Sequence, residues 1–339
     1  MTKRPDGRDT IVEPGRTQLG VGSSRTTAPP LVDLVGTIVN GYFLEAELGH
    51  GAMGVVYRAS HVDTGRVVAI KALHPRHVNE PALVERFTRE AKLAARLVHP
   101  NIAGVIDSGM SIDDGRMLMV LELAEGEPLS QVLTMPLPPE RVIALVAQLL
   151  GALDHAHGAG LIHRDLKPEN VMVAWREGRE HLQIIDFGIA ILRDDPAAAR
   201  LTATGQMIGT PIYMSPEQAK CEAFDHRTDL FALGVIVYEM LSGALPFEGS
   251  AMEIALANVN KDPPRIADRV PGLLVEPVLE AFCRKLMARS LDVRFASARA
   301  ALDTLELIAT DPDEAALQLG IMDVARALAV VALSDPSGT

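Results

Sequence analysis

Cysteine is nearly missing from this chain: its 339 residues hold two, Cys221 and Cys283, far apart and with no CxxC pairing. That excludes a disulfide scaffold and a Cys-rich zinc site, and it fits a reducing, cytoplasmic setting. Basic charge is also short, with 32 Lys+Arg against 44 Asp+Glu and a formal net charge of −12. Wrapping nucleic acid or lying on anionic lipid needs a dense basic surface, so neither partner is expected. No apolar run reaches the roughly 18 residues of a membrane span, and direct membrane insertion is not expected either. The N-terminus, MTKRPDGRDT, has no apolar stretch behind it and so no visible secretory signal. Lysine is the scarce basic residue, and with the abundance of Ala this suggests a high-GC bacterial genome.

What is present is ample apolar residue, 48% of the chain, enough for one large domain or two small ones. Residues 1–36 mix Thr, Ser, Gly, Pro and charge without an apolar period and read as a flexible leader. From Ile38 to Leu121 come the β-like runs YFLEAEL, GVVYRA, VVAIKAL and MLMVLEL, interrupted by one helical stretch over 79–97. Beyond Pro138 helical patterns dominate, at 139–157, 228–242, 250–260, 276–288 and 297–309. Ser250 with Glu253 is a capping box, and Thr228 marks the start of a run that stops near Gly243. A strand-rich segment followed by a helix-rich one predicts a two-lobed α+β protein, with ligands in the cleft between the lobes. In the tail, 311–339, Asp311, Pro312 and Glu314 open a further helix. Leu317, Ile321, Val324, Leu328 and Val331 follow at 4-3-4-3 spacing. That stripe serves either packing on the second lobe or docking, as a homodimer or onto an adaptor.

Chemistry-bearing residues cluster in four places. Gly49-His50-Gly51-Ala52-Met53-Gly54 is a glycine-rich turn able to bring backbone N–H groups close to phosphates. A strand follows it, not a helix, so it is a β-hairpin turn and not a dinucleotide-binding one. Lys71 ends an apolar strand run, where an unpaired ammonium is costly. On the helix at 79–97, Leu83, Phe87, Ala94 and Leu97 mark the inward stripe, and the missing member of that register is Glu90. A carboxylate there needs a cation, and Lys71 is the nearest suitable one. The third cluster is the loop His163-Arg164-Asp165-Leu166-Lys167-Pro168-Glu169-Asn170. The fourth is Ile184-Ile185-Asp186-Phe187-Gly188, an apolar strand that ends in a carboxylate able to ligate Mg²⁺.

Taken together, GHGAMGVV, VAIK, an inward helix Glu, HRDLKPEN, DFG and SPE occur in the order of the protein-kinase signature set. With RFTREAKLAARLVHPNI and GTPIYMSPEQA, the sequence resembles the eukaryotic-like serine/threonine protein kinases of bacteria. The resemblance implies a catalytic domain over 37–310, with a β-rich N-lobe (37–121), a hinge (122–126) and a helical C-lobe (127–310). It further implies that the Gly49–Gly54 loop covers the ATP phosphates and that Lys71, paired with Glu90, contacts them. Leu48, Val56, Ala69 and Met172 would line the adenine pocket, with Leu121 as gatekeeper and the backbone of Glu122 and Ala124 at the base. Asp165 would accept the substrate hydroxyl's proton, and Asn170 and Asp186 would hold Mg²⁺, for which Mn²⁺ can substitute.

The same resemblance makes Lys167 and Thr210 marks of Ser/Thr specificity, with protein substrates held by the GTPIYMSPE segment. Glu217 would pair with Arg294, and Asp229 would brace the backbone of the HRD loop. Thr202 and Thr204 stand at autophosphorylation positions, with Arg164 as the cation for the phosphate. Two other readings stay open. An ATP-binding pseudokinase scaffold usually lacks one of Lys71, Asp165 or Asp186, all present here. A small-molecule phosphotransferase of related fold would not be expected to carry a peptide-holding segment. His155 and His157, two apart, do not share a helix face as a metal pair would, and Trp175 is expected on a hairpin.

Overall fold

The computed structural model describes residues 34–50, 54–74, 81–111, 115–187 and 211–321, without the side chains at 81–83, 86 and 90. Expectations for the leader up to residue 33, for Gly51, Ala52 and Met53, for Thr202, Thr204 and Thr210, for the Glu90 side chain and for Val324, Leu328 and Val331 lie outside the described residues; Leu34–Gly36, expected in the leader, instead form a turn whose Gly36 N–H donates to the Leu44 carbonyl at 2.8 Å. The chain divides into units Met1–Val32 and Asp33–Thr339, and every described residue belongs to the second.

Six antiparallel strands form the first sheet: β1 (Ile38–Val39), β2 (Tyr42–His50), β3 (Gly54–His61), β4 (Val67–Leu73), β5 (Val105–Met110) and β6 (Met117–Glu122), in the order β1-β2-β3-β4-β6-β5. Alternation along β4 sorts its side chains. Val68, Ile70 and Ala72 join Leu44, Tyr57, Leu118 and Val120 in one cluster. Ala69 and Leu73 turn to the other face, where Phe87 and Ala91 of helix α1 (Pro81–Ala94) cover them with Met117, Met119 and Leu121. Lys71 has the same parity as Ala69 and Leu73. It therefore shares the face that α1 covers.

A second sheet, β7 (Glu127–Pro128), β8 (Val171–Arg176) and β9 (Arg179–Ile184), starts the helical lobe. Glu177 and Gly178, both at positive φ (50° and 78°), close β8 and β9 into a two-residue hairpin with Trp175 exposed at its end. The helices of this lobe begin with α2 (Leu129–Val132), α3 (Pro139–Gly158), α4 (Pro216–Ala219) and α5 (Arg227–Ser242). They continue with α6 (Ala251–Asn260), α7 (Ile266–Arg269), α8 (Pro277–Leu286), α9 (Ala298–Thr310) and α10 (Pro312–Gln318). All of α5 except Arg227 and Glu239 is buried, as befits a helix that is apolar all round at the centre of a lobe. Gly243, at φ 67°, ends it in a left-handed cap. An isolated parallel bridge joins Ile102, in the segment ahead of β5, to Ile184 at the end of β9.

Two expectations about helix ends need correction. Thr228 is not the cap of α5: the helix starts one residue earlier, with His226 at the cap position. The Thr228 hydroxyl is taken by Ser215 Oγ, and the Asp225 carboxylate accepts the Arg227 N–H at 2.9 Å instead. The tail helix does open on Asp311, whose carboxylate accepts the Glu314 N–H at 3.2 Å. It stops at Gln318, however, and Gly320 turns the chain at φ 71°. Ala315 and Ala316 are its buried residues, while Ile321 lies past its end and is exposed. The 4-3-4-3 stripe therefore does not run along one helix here.

Candidate active site

The HRD loop hangs from α5. Both oxygens of Asp229, in the first turn of that helix, accept backbone N–H groups at 2.8 Å, Oδ2 from His163 and Oδ1 from Arg164. His157, at the end of α3, adds a third contact through Nε2 to Asp229 Oδ2 at 2.8 Å. Burial alone would push the Asp229 carboxyl up. The His157 hydrogen bond, the charges of His157 and His163 and the His163 N–H together outweigh it, holding the carboxyl below its ordinary range. The His163 ring is fully buried, with Nε2 3.0 Å from the Ile185 carbonyl and Nδ1 accepting the Asp165 N–H at 3.3 Å. It binds backbone on both sides and is not placed to shuttle protons.

This scaffold presents Asp165 with its carboxylate 3.1 Å from Lys167 Nζ. The Asn170 amide donates to the Asp165 carbonyl at 2.8 Å. Asp186 reaches across to the first sheet, where its carboxylate meets Lys71 Nζ at 2.9 Å. Phe187 is buried edge-on against the His163 ring, with centroids 4.7 Å apart. Arg164 and Asp186 both hold left-handed backbone, at φ 66° and 65°. Such residues cost about 1–3 kcal/mol each unless their surroundings over-determine them. Here Arg164 is pinned by Asp229 and by Gln218 Nε2, which donates to its carbonyl at 3.0 Å. Asp186 is pinned by Lys71 and by the packing of Phe187.

Above Asp186, Val56 faces Lys71 across the β3–β4 pair and Ala69 faces Leu121 across β4–β6, all on one face of the sheet. Leu48, Gly49 and His50 close β2, with Leu48 exposed and His50 Nδ1 2.8 Å from Glu47. At the hinge, Glu122 donates its N–H to the Gly104 carbonyl at 2.9 Å, and its carboxylate accepts the Gly104 N–H at 3.2 Å. Met172 lies on β8, half-buried and paired with Pro128. Farther down, Arg294 and Glu217 form a buried bidentate pair at 2.7 and 3.2 Å.

The protein kinase domain family matches residues 42–302. The chain belongs to that family. Serine/threonine-protein kinase pkn3 of Myxococcus xanthus is 43% identical over 270 residues, 78% of this chain and 49% of the relative. Pkn1 of the same organism is 36% identical over 293 residues, and PknL of Mycobacterium tuberculosis 37% identical over 274. The chain covers 41% of that Pkn1 and 66% of that PknL, so it spans from under half to about two thirds of these three relatives. A crystal structure of the Mycobacterium tuberculosis PknI kinase domain superposes with a TM-score of 0.61 at 29% identity, covering 80% of this chain and 97% of that one. The kinase architecture, a curled antiparallel sheet over a helical lobe, is common to both.

His157, Gln218 and Tyr213 were not singled out from sequence as parts of this site. His157 had a signal: it continues the buried α3 series Leu149–Leu153 at four-residue spacing, the same logic that singles out Glu90. Tyr213 donates its hydroxyl to Glu239 at 2.8 Å, a contact between distant segments that no local pattern announces. Among the described residues no helix is long and apolar enough to cross a membrane.

Proposed function

We propose that this chain is a serine/threonine protein kinase that moves the γ-phosphate of ATP to Ser or Thr hydroxyls of protein substrates in the cytoplasm. The observation that carries the reading is the convergence of Asp165, Lys167, Asn170 and the Lys71–Asp186 pair. In this reading Asp165 accepts the proton of the attacking hydroxyl as its oxygen bonds to the γ-phosphorus and the bond to the ADP oxygen breaks. A positioned base of this kind contributes about 10²–10⁴-fold in rate. Lys167, already beside Asp165, offsets the charge gathering on the transferred group, and Lys71 holds the phosphates of ATP in line. Val56, Ala69, Leu121 and Met172 enclose the base, and the backbone of Glu122 and Ala124 reads its edge. By the family resemblance, Leu48 and the Gly49–Gly54 turn would cover the nucleotide, and Thr210 would contact Asp165 and Lys167.

The Asn170 amide oxygen and the Asp186 carboxylate are hard oxygen donors of the kind Mg²⁺ takes alongside phosphate oxygens, and Mn²⁺ suits the same set. Bound there, the ion supplies positive charge against the phosphates. Arg164, whose guanidinium lies 5.7 Å from the centre of the Phe224 ring, is the cation for a phosphate on Thr202 or Thr204.

The test is incubation with γ-labelled ATP and Mg²⁺, offering a protein acceptor and small-molecule acceptors in parallel, with mass spectrometry of the chain itself. Label in the protein acceptor and on Thr202 and Thr204 is expected, falling at least about 10²-fold in Asp165→Asn. ATP binding without transfer would favour a scaffold, and label only in small molecules would favour the related phosphotransferases.

A further inference from the structure

The residues just before Ser215-Pro216-Glu217 form a short 3-10 turn, Pro211–Tyr213, and side chains from α5 and α6 grip this stretch at three points. Tyr213 is tied to Glu239 of α5. Ser215 caps α4 and touches Thr228. The third grip comes from Asn258, on the last turn of α6, whose Nδ2 donates to the Ile212 carbonyl at 2.8 Å and reaches the Met214 carbonyl at 3.4 Å. These two carbonyls flank Tyr213. One amide group therefore fixes the backbone on both sides of it.

Asn258 is an expensive way to fill this space. It is 1% exposed, and its Oδ1 is buried with no partner among the described residues. A buried amide oxygen left unpaired destabilises the fold, whereas an aliphatic side chain of similar volume carries no such penalty. What asparagine supplies, and leucine cannot, is a two-proton fork aimed at the carbonyls of the peptide-holding segment. Among the described residues, no hydrogen bond or ion pair runs from α6 to Lys71, Asn170 or Asp186. The fork therefore acts on the acceptor side of the reaction only.

We infer that Asn258 is a positioning residue for the protein substrate: through it α6 sets the seat of residues 211–214, leaving nucleotide binding unaffected. The inference rests on the protein-kinase reading above. Its test uses the full chain in two variants. Asn258→Leu removes the fork and keeps the volume. Asn258→His restores an N–H, because imidazole Nδ1 branches from Cγ where the amide nitrogen does.

Asn258→Leu removes the unpaired Oδ1 but leaves the Ile212 and Met214 carbonyls without their donor, so a folded protein is expected with faster hydrogen exchange at the amides of residues 212–215. A loss of about tenfold in kcat/KM for a Ser/Thr peptide should appear mostly in the peptide KM. The KM for ATP and peptide-free ATP hydrolysis should stay within about twofold of wild type, and Asn258→His should recover most of the peptide KM. A folded Leu variant with unchanged peptide kinetics would overturn the inference. So would an equal loss in ATP hydrolysis, which would mark Asn258 as merely structural. If the wild type phosphorylates no peptide, the kinase reading is what fails. The exchange measurement then still decides, since unaltered exchange at 212–215 removes the grip itself.

Discussion

Arg294→Met offers the sharpest test of how the helical lobe is held together. The Arg294 side chain is 0% exposed and its partner Glu217 only 6%. Its guanidinium makes two bonds to the Glu217 carboxylate, one to the Arg227 carbonyl at 2.8 Å and one through Nε to the Ala288 carbonyl at 2.9 Å. It also lies over the Phe231 ring, 5.1 Å from the centroid. Methionine fills much the same volume but leaves a buried carboxylate and two carbonyls without donors. Stranding one member of a buried pair costs about 3–5 kcal/mol. For a domain of this size each kcal/mol moves the melting temperature by about 2–4 °C, so a drop of roughly 6–20 °C is expected. The internal comparison is Arg299–Asp303, equally short at 2.8 Å but with side chains 59% and 55% exposed. Breaking it by Arg299→Ala should cost no more than about 0.5 kcal/mol.

Urea titrations of Arg294→Met, Glu217→Gln and the double variant complete the cycle. Each single change strands a different charge, and the double change strands neither, so the costs should overlap by about 2 kcal/mol or more. Additive costs, or an Arg294→Met penalty no larger than that of Arg299→Ala, would refute the reasoning. The strength of the pair would then not come from its burial.

Two further outcomes follow from single positions. Gly54→Ala would drive a Cβ into the Ala72 carbonyl across the β3–β4 pair, and Gly126→Ala would drive one into the Val173 carbonyl at a φ of +95°. Each should cost about 1–3 kcal/mol by thermal melting, and Gly54→Ala should also raise the KM for ATP. Gly109→Ala, with nothing within 4 Å, is the neutral control. Asp229 governs acid sensitivity. Its folded carboxyl titrates below the ordinary 3.8, so its stabilisation is complete above that value and is lost as pH falls through the folded pKa. Asp229→Asn should therefore show a flatter fall in urea midpoint below about pH 4 than wild type, and an equally steep fall would exclude Asp229 as the group responsible.

Much of the fold is legible in the sequence where local chemistry acts alone. The Ser250–Glu253 box starts α6 where it should, because both of its hydrogen bonds lie within four residues. The left-handed cap at Gly243 and the alternation along β4 are likewise decided locally. Reading fails where distant contacts compete for the same atoms. Thr228 has the chemistry of a helix cap, yet its hydroxyl is spent on Ser215. Strand β5, VIDSGM, carries Gly, Asp and Ser and pairs at the sheet edge through a bulge, so no alternation marks it. The tail stripe continues past Gly320 in sequence, but the backbone turns there. In the site, Lys71 meets Asp186 across 115 positions, a contact that the sequence reading, which paired Lys71 with Glu90, does not anticipate.

The residues that touch no reactant explain why the site can hold its shape. Asp165 and Asp186 are partly exposed, and Asp186 and Arg164 sit in backbone conformations that other residue types would avoid. Left alone, such a loop would relax. It is held because α5, buried on nearly every side, places one carboxylate in its first turn, where the helix dipole favours negative charge. That carboxylate accepts two consecutive backbone N–H groups, and Arg164, the second donor, is the residue whose backbone is left-handed. Near the other end of α5, Glu239 receives the Tyr213 hydroxyl. The same helix thus fixes the loop that carries Asp165 and the turn that carries Tyr213. In the kinase reading proposed above, the distance between Asp165 and residues 211–214 is then set by one rigid element, and not by the two loops that carry them.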